Sequence, residues 1–320
     1  MKHMRILVLR PGAIGDTLLT FPILQHLQRK YEQAEITFVG NVSVLPLAKA
    51  FGLAQTIADY EEPQWGQFFV PLTSPPSKQA ARLQERVQEV DMAIFWLRNP
   101  GAVLMQNAQN LGIKQIFVAP SRPPEDKPMH IVDYLGESIG EHLQMENIWR
   151  VPELYAWKPS ATDSRAVAIH PGSGGAQKCW PVTSFATLIE RLWQHEIPIL
   201  LLGGPADSER LSELYKQLPT PPRATLLHTL IDAPLLTVAR QLQECCGYIG
   251  NDSGITHLAA LLGVPTLALF GPSSPTIWRP LGSNVALLYE PLLANLSVDM
   301  VQSHALSFLR EGPTPIASTF

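Results

Sequence analysis

A glycine-rich segment with one lysine, in the second half of the chain, has the residue types that bind a phosphate. Gly172, Gly174 and Gly175 surround Ser173, and Lys178 follows. Glycine lets the backbone approach a ligand closely or adopt positive φ. N–H groups exposed at a helix start favour anions, and the lysine adds a full positive charge. The segment predicts a phosphate-binding loop, although a strand-to-helix turn that merely needs glycine is an open alternative.

The spacing of this loop differs from the common nucleotide-binding motifs. It has neither the GxxxxGK[ST] spacing of a P-loop nor the GxGxxG spacing of a Rossmann fingerprint. Together with its place in the second half of the chain, this spacing argues against an ordinary dinucleotide dehydrogenase.

A second segment, NDSGITH, contains an aspartate followed by the expected start of a helix. Asp252 can accept hydrogen bonds from sugar hydroxyls, and Ser253 is a good N-cap. The N–H groups of Ser253, Gly254 and Ile255 can face a pyrophosphate. His257 lies on the same helix face as Ser253, one turn later. It could contact the ligand, or it could be a partly buried histidine that holds a neighbouring loop.

The N-terminal segment RPGAIGDTLLTFPIL contains a third candidate, Asp16. A hydrophobic strand precedes it, and Gly12 and Gly15 permit a tight turn. Pro22 should divide the following helix or begin its second part, because proline is tolerated only in a first turn. Asp16 is therefore expected at the carboxyl edge of the first strand, pointing into any cleft there, unless it only caps the helix.

Alternating strands and helices position these three segments. Strands are predicted near residues 5–10, 35–40, 91–96, 115–118, 166–170, 197–202, 225–228, 247–250 and 266–270, with helices in most gaps. This alternation predicts parallel sheets with helices on both faces. Open sheets of this kind bind ligands at the carboxyl ends of their strands, where the candidate residues lie.

Composition is consistent with a two-domain enzyme of the cytoplasm. The chain has 320 residues, enough for two cores, and a net charge of −4 that gives no support for nucleic-acid binding. No apolar run is long enough to span a membrane, and we expect no secretory signal because the first residues lead directly into a strand. Its 3 cysteines lack zinc spacing and are expected to be reduced thiols.

The chain resembles glycosyltransferase family nine, the ADP-heptose:lipopolysaccharide heptosyltransferases. The matching pieces follow the family's order nearly end to end: GAIGDTLLTFPIL, HIVDYLG, HPGSGGAQKCWP, LLGGPAD and NDSGITHLAALLGVPTLALFGPSSP. The resemblance implies an α/β protein of GT-B architecture, with two Rossmann-like domains whose parallel sheets face across a cleft. Residues 1–157 are then expected to bind the acceptor and residues 164–310 the nucleotide sugar. Residues 156–164 have the composition of a linker, and residues 310–320 of a frayed tail.

The resemblance also implies roles for single residues. Asp16 matches the family's proposed general base, and Asp207 matches an acidic residue near the donor ribose, although a helix cap would equally explain Asp207. The donor is expected to contact Ser173, Gly174, Gly175, Lys178, Asp207, Asp252, Ser253, Gly254 and His257. The acceptor is expected to contact Arg10, Gly15 and Arg98, and the two arginines would contribute to the basic patch that an anionic acceptor needs. Cys179 stands where many relatives carry arginine, so one expected charge is absent.

The reaction implied is transfer of a sugar, a heptose in the family, from ADP-heptose to a lipopolysaccharide-core or other glycan acceptor. The acceptor is lipid-linked or an oligosaccharide, so peripheral contact with the inner membrane face is expected, without nucleic acid or a cofactor. The sequence has no Asp-x-Asp pair to hold a metal ion. Aimed N–H groups and Lys178 could stabilise the leaving diphosphate without a metal, in an inverting reaction.

Two alternatives to this function are a nucleotide-sugar-binding protein of the same fold without turnover and a Rossmann NAD(P) dehydrogenase. The full set of candidate residues argues against the first. The missing three-glycine fingerprint, and the lack of an acidic residue at the end of the second strand, argue against the second.

Overall fold

The computed structural model describes residues 3–73, 75–143, 149–156, 158 and 166–311. The chain divides into two compact units, Met1–Arg150 and Val151–Phe320. The predicted linker over residues 156–164 and the predicted tail after Arg310 fall almost entirely outside the described residues. Within the described ranges, no helix is both long enough and apolar enough to cross a bilayer.

The first unit is built on a sheet of five parallel strands. In chain order these are β1 Arg5–Leu9, β2 Glu35–Gly40, β3 Thr56–Asp59, β4 Met92–Leu97 and β5 Gln115–Pro120. Their order across the sheet is β3-β2-β1-β4-β5, which puts β1 at the centre. The helices are α1 Ile14–Leu18, α2 Phe21–Lys30, α3 Leu45–Ala50, α4 Lys78–Val87, α5 Ala102–Asn110 and α6 Ile131–Glu137.

The second unit is built on a sheet of six parallel strands. These are β6 Val167–His170, β7 Ile199–Gly203, β8 Leu227–Ile231, β9 Gly247–Asn251, β10 Thr266–Phe270 and β11 Val285–Tyr289, in the order β11-β10-β9-β6-β7-β8. The helices are α7 Val182–Gln194, α8 Ser208–Gln217, α9 Leu235–Gln243, α10 Gly254–Leu261, α11 Pro275–Trp278 and α12 Val298–Glu311.

Several inner strands are buried along their whole length, as expected for parallel strands covered on both faces. Every residue of β4, β9 and β10 is buried. Two parallel-sheet α/β units confirm the predicted fold class, and all nine predicted strands are present. The edge strands β3 and β11 were not predicted. The strand β3 has only four residues, and a short apolar run such as β11 cannot be told from a helical segment by periodicity.

The predicted helix boundaries that matter for the site are also present. The helix α1 ends at Leu18, and α2 restarts with Pro22 in its first turn. The helix α7 begins at Val182, and Ser253 caps α10 by accepting a hydrogen bond from the Thr256 N–H at 3.4 Å.

Candidate functional site

Three loops at one edge of the second sheet contain the predicted donor residues. The strand β6 lies between β9 and β7, so the carboxyl ends of these three strands are adjacent. The glycine-rich loop follows β6, Asp207 follows β7, and Asp252 follows β9. The topology therefore brings together residues that are far apart in the chain.

Asp252 is the centre of contacts among the predicted donor residues. The Nζ atom of Lys178 lies 2.7 Å from Asp252 Oδ2, and the Ser173 hydroxyl donates to the Asp252 carbonyl oxygen at 2.5 Å. Nε2 of His257 lies 3.9 Å from Asp252 Oδ1. The side chain of Asp252 is only 7% exposed, whereas that of Lys178 is 36% exposed. Lys178 is thus an accessible cation held in place by a buried carboxylate.

The glycines of this loop are not needed for a left-handed backbone conformation. None of Gly172, Gly174 and Gly175 has φ in the left-handed region, and Gly175 is extended at φ −163°. A Cβ on Gly172 would lie 1.8 Å from Asp207 Oδ1, whereas a Cβ on Gly174 would meet nothing within 4 Å. Close approach to the Asp207 carboxylate is therefore what requires glycine at position 172.

His170, the last residue of β6, links the other two loops and was not among the predicted site residues. Its Nε2 lies 3.0 Å from Asp207 Oδ2, and its Nδ1 lies 3.2 Å from the Ser253 hydroxyl. With Asp207 ionised, Nε2 donates to its carboxylate, and Nδ1 shares a hydrogen bond with the Ser253 hydroxyl. A histidine directly before a glycine-rich loop was the only sequence signal for this bridge.

Asp207 is held as an ionised, inward-facing carboxylate. Burial by itself raises the pKa of Asp207, but the hydrogen bond and charge of His170, the hydrogen bond from Gly204 and the charge of Arg210 outweigh it. The net result is a pKa below the usual range. The Gly204 N–H donates to Asp207 Oδ2 at 2.8 Å, which is the capping contact considered as an alternative. Contact of Asp207 with a donor ribose stays a prediction.

Replacing Asp207 by Asn should make stability less dependent on acid pH. Because the pKa is lower in the folded protein than in the unfolded chain, ionisation of Asp207 stabilises the fold above the unfolded-state pKa of about 3.9. That contribution is lost as the pH falls through the folded-state value. In melting curves, Asp207→Asn should melt below the parent at pH 7, and the difference should shrink below about pH 4. An Asp299→Asn control, at a largely exposed position, should show little difference at either pH.

Asp16 lies at the carboxyl edge of the first sheet, in the first turn of α1, as predicted. Its Oδ2 accepts a hydrogen bond from the Ala13 N–H at 3.1 Å, so it does cap the helix. Its side chain is still 24% exposed, which leaves it accessible to a substrate. A Cβ on Gly12, whose φ is +156°, would lie 2.8 Å from Asp16 Cβ, so the turn before α1 requires glycine.

Arg10 is completely buried beside Asp16, with 0% exposure. Its Nε donates to the Asp16 carbonyl oxygen at 3.0 Å, and its Nη2 lies 3.6 Å from Asp16 Oδ1. Within the described part of the chain, Nη1 and Nη2 make no hydrogen bond. Burial lowers the pKa of Arg10 to about 10, an effect that the Asp16 charge opposes, so the guanidinium is protonated at neutral pH.

The three predicted acceptor residues are therefore in different environments. Arg10 is off the protein surface, since it has 0% exposure and contacts Asp16. Gly15 is half-buried inside α1, and Arg98 is exposed after β4. Their roles in acceptor binding stay predictions. Across the described residues, no three His, Cys, Asp or Glu side chains are grouped to hold a metal ion.

Comparisons with known proteins agree with this architecture. The sequence model of glycosyltransferase family 9 (heptosyltransferase) matches residues 141–303. Lipopolysaccharide heptosyltransferase 2 of Escherichia coli strain K12 is 31% identical over 314 residues, covering 89% of this chain and 88% of that protein.

Two solved heptosyltransferases have a similar fold. The E. coli ADP-heptose lipopolysaccharide heptosyltransferase II superposes with a TM-score of 0.74 at 22% identity, covering 96% of this chain and 98% of that one. The E. coli heptosyltransferase WaaC, solved with ADP, superposes with a TM-score of 0.69 at 17% identity, covering 95% and 100%.

Two parallel-sheet α/β units of this kind, with polar loops at the carboxyl edges of the strands, give the chain the GT-B fold. The chain belongs to glycosyltransferase family 9, the heptosyltransferase family.

Proposed function

We propose that the protein transfers a heptose from ADP-heptose to the core of lipopolysaccharide, with inversion at the anomeric carbon and without a metal ion. The observation that carries the proposal is the cluster of Ser173, Lys178 and Asp252 beside the start of α10. Two relatives support the proposal. A protein 31% identical to this chain is a lipopolysaccharide heptosyltransferase, and a protein of similar fold was solved with ADP.

In the proposed donor complex, the diphosphate lies against the glycine-rich loop with Lys178 as its cation. The first N–H groups of α10, at Gly254 and Ile255, lie at the same edge of the sheet because α10 begins just after β9, and they favour negative charge. Because Asp252 already holds Lys178 at 2.7 Å, the cation is positioned before the donor arrives. Preorganised charges of this kind stabilise a leaving group without reorganisation during the reaction. We assign donor binding to residues 164–310.

In the proposed reaction, an acceptor hydroxyl attacks the anomeric carbon as its bond to the diphosphate breaks. The hydroxyl proton passes to the Asp16 carboxylate, and ADP leaves with the electron pair of the broken bond. A single displacement of this type inverts the anomeric centre. We assign acceptor binding to residues 1–157, with Gly15 and the exposed Arg98 as contacts of an anionic, lipid-linked acceptor at the inner membrane face.

A ligand screen followed by a transfer assay tests the proposed function. ADP should raise the melting temperature more than equal concentrations of UDP, GDP or NAD, since stabilisation follows RT ln(1 + [L]/Kd). The protein should then move heptose from ADP-heptose to a lipopolysaccharide core that lacks it. A larger shift with NAD would indicate a dehydrogenase. An ADP shift without transfer would indicate a binding protein without turnover.

Transfer should be independent of metal ions and should invert the anomeric centre. After treatment with EDTA and removal of the chelate, the rate should equal that of the untreated protein. NMR of the product should show the configuration opposite to that of the donor. Activity that returns only on addition of Mg²⁺ or Mn²⁺ would contradict the first expectation, and retention of configuration would contradict the second.

A further inference from the structure

Two side chains that are absent from the predicted donor site hold both ends of the glycine-rich loop. Arg210, on α8, donates Nε to the Pro171 carbonyl oxygen at 2.7 Å and Nη2 to the Trp180 carbonyl oxygen. Asn251, the last residue of β9, donates Nδ2 to the same Pro171 oxygen at 2.7 Å. Its Oδ1 accepts from the Trp180 N–H at 2.9 Å. The loop between Pro171 and Trp180 is therefore closed at its base by two separate side chains.

The far end of the loop is anchored in the core. Trp180 is completely buried, and its indole N–H donates to the Leu296 carbonyl oxygen at 2.9 Å. Its ring packs edge-on against Phe185, with ring centroids 5.0 Å apart. Asn251 is also completely buried. Buried side chains thus anchor both ends of the loop, and Ser173 and Lys178 each lie two residues in from one of those ends.

We propose that Arg210 and Asn251 are positioning residues of the donor site. They hold the Pro171–Trp180 loop in the closed form that places Ser173 and Lys178 against Asp252, without touching the donor themselves. This inference rests on the proposed function, because the loop is taken to bind the donor diphosphate. A loop already held in its binding conformation loses less conformational entropy when a ligand binds.

The chemistry of arginine explains why position 210 needs this side chain. One planar guanidinium presents N–H groups in a fixed fork, and here that fork spans two carbonyl oxygens from opposite ends of the loop. A lysine ammonium keeps the charge but cannot reproduce the two separated donors in the same plane. Arg210→Lys therefore removes the paired hydrogen bonds to the two ends of the loop while it keeps the positive charge.

Arg210→Lys should weaken ADP binding although the net charge is unchanged. The expected loss is roughly 10- to 100-fold in Kd by calorimetry, the range for a hydrogen bond of a charged group. Arg223→Lys is the matched control, because Arg223 belongs to the same unit and pairs with Glu196 at an exposed position. That control should bind ADP as the parent does.

Cys179 provides a reporter of loop closure that does not depend on activity. It lies inside the loop, half-buried, with its Sγ 3.5 Å from the Gly175 carbonyl oxygen. Alkylation of Cys179, followed by peptide mass spectrometry, should be faster in Arg210→Lys than in the parent. ADP should slow it in the parent. The buried Cys245 should keep its slow rate in both, which shows that the unit is still folded.

The outcomes distinguish the inference from the proposed function. If the parent binds no ADP, the proposed function fails, and the role of Arg210 and Asn251 in positioning the donor loop fails with it. If the parent binds ADP, but Arg210→Lys binds it equally well and Cys179 labelling is unchanged, only the positioning role of Arg210 is overturned. Should Arg210→Lys fail to fold, Arg210→Gln, which keeps an amide NH₂ donor but loses the positive charge, is measured against the same two readouts.

Discussion

Asp16→Asn is expected to lose turnover by about 10²–10⁴-fold, the usual contribution of a positioned general base. The substitution is nearly isosteric, and an amide oxygen can still accept the hydrogen bond that the Ala13 N–H donates to the carboxylate. Helix α1 should therefore keep its cap. Donor affinity should be unchanged, because the residues proposed to bind the donor belong to the other unit. Initial rates with saturating ADP-heptose and calorimetry with ADP measure the two quantities separately.

The buried Arg10 adds a stability effect that must be separated from the chemistry. Its guanidinium has Asp16 Oδ1 at 3.6 Å, so Asp16→Asn leaves a buried positive charge with less compensation. The melting temperature should fall. A double variant, Arg10→Met with Asp16→Asn, removes both charges and should recover part of the melting temperature while staying inactive.

Each result of this pair has a distinct meaning. A single variant that turns over at the parental rate would reduce Asp16 to a helix cap. A double variant that regains activity together with stability would show that the loss came from misfolding. Loss of ADP binding in a folded Asp16→Asn would assign Asp16 to substrate positioning instead of proton transfer.

The sequence was sufficient to predict the architecture and the edge of each sheet that contains the candidate residues. Buried apolar runs alternating with amphipathic helices predict parallel strands, and the residues after such strands must share one edge. For this reason the loops after β6 and β9 could be grouped before any contact was known, whereas Asp207 after β7 was assigned through the family resemblance. The edge strand β3 was missed because four residues carry too little periodic signal.

Side-chain pairing could not be predicted, because it depends on packing between distant segments. Lys178 and Asp252 are 74 positions apart, and nothing in either segment indicates that they share an ion pair. Arg210 similarly resembles any cation on a surface helix, yet its guanidinium holds a loop from a neighbouring strand. Arg10 follows a strand, where an arginine is usually solvated, and its burial is visible only once helix α1 covers it.

Lys178→Ala is expected to weaken ADP binding by roughly 1.5–3 kcal/mol, about 10- to 100-fold in Kd, as for loss of a charged hydrogen bond. The ion pair with Asp252 adds a second reason. Without Lys178, the carboxylate of Asp252 would be buried with its nearest cation gone, and it would face the diphosphate in the proposed complex. The loss should grow at low ionic strength, because like charges then repel over a longer range.

A second variant separates these two contributions. If repulsion from Asp252 matters, Lys178→Ala with Asp252→Asn should bind ADP more tightly than Lys178→Ala alone, although less tightly than the parent. Lys216→Ala, which removes an exposed lysine from α8, is the matched control and should leave affinity unchanged. Equal ADP affinity in Lys178→Ala and the parent would place the diphosphate elsewhere. In that case Lys178 would serve only to neutralise Asp252, and the glycine-rich loop would be a turn that Gly172 permits and not a phosphate site.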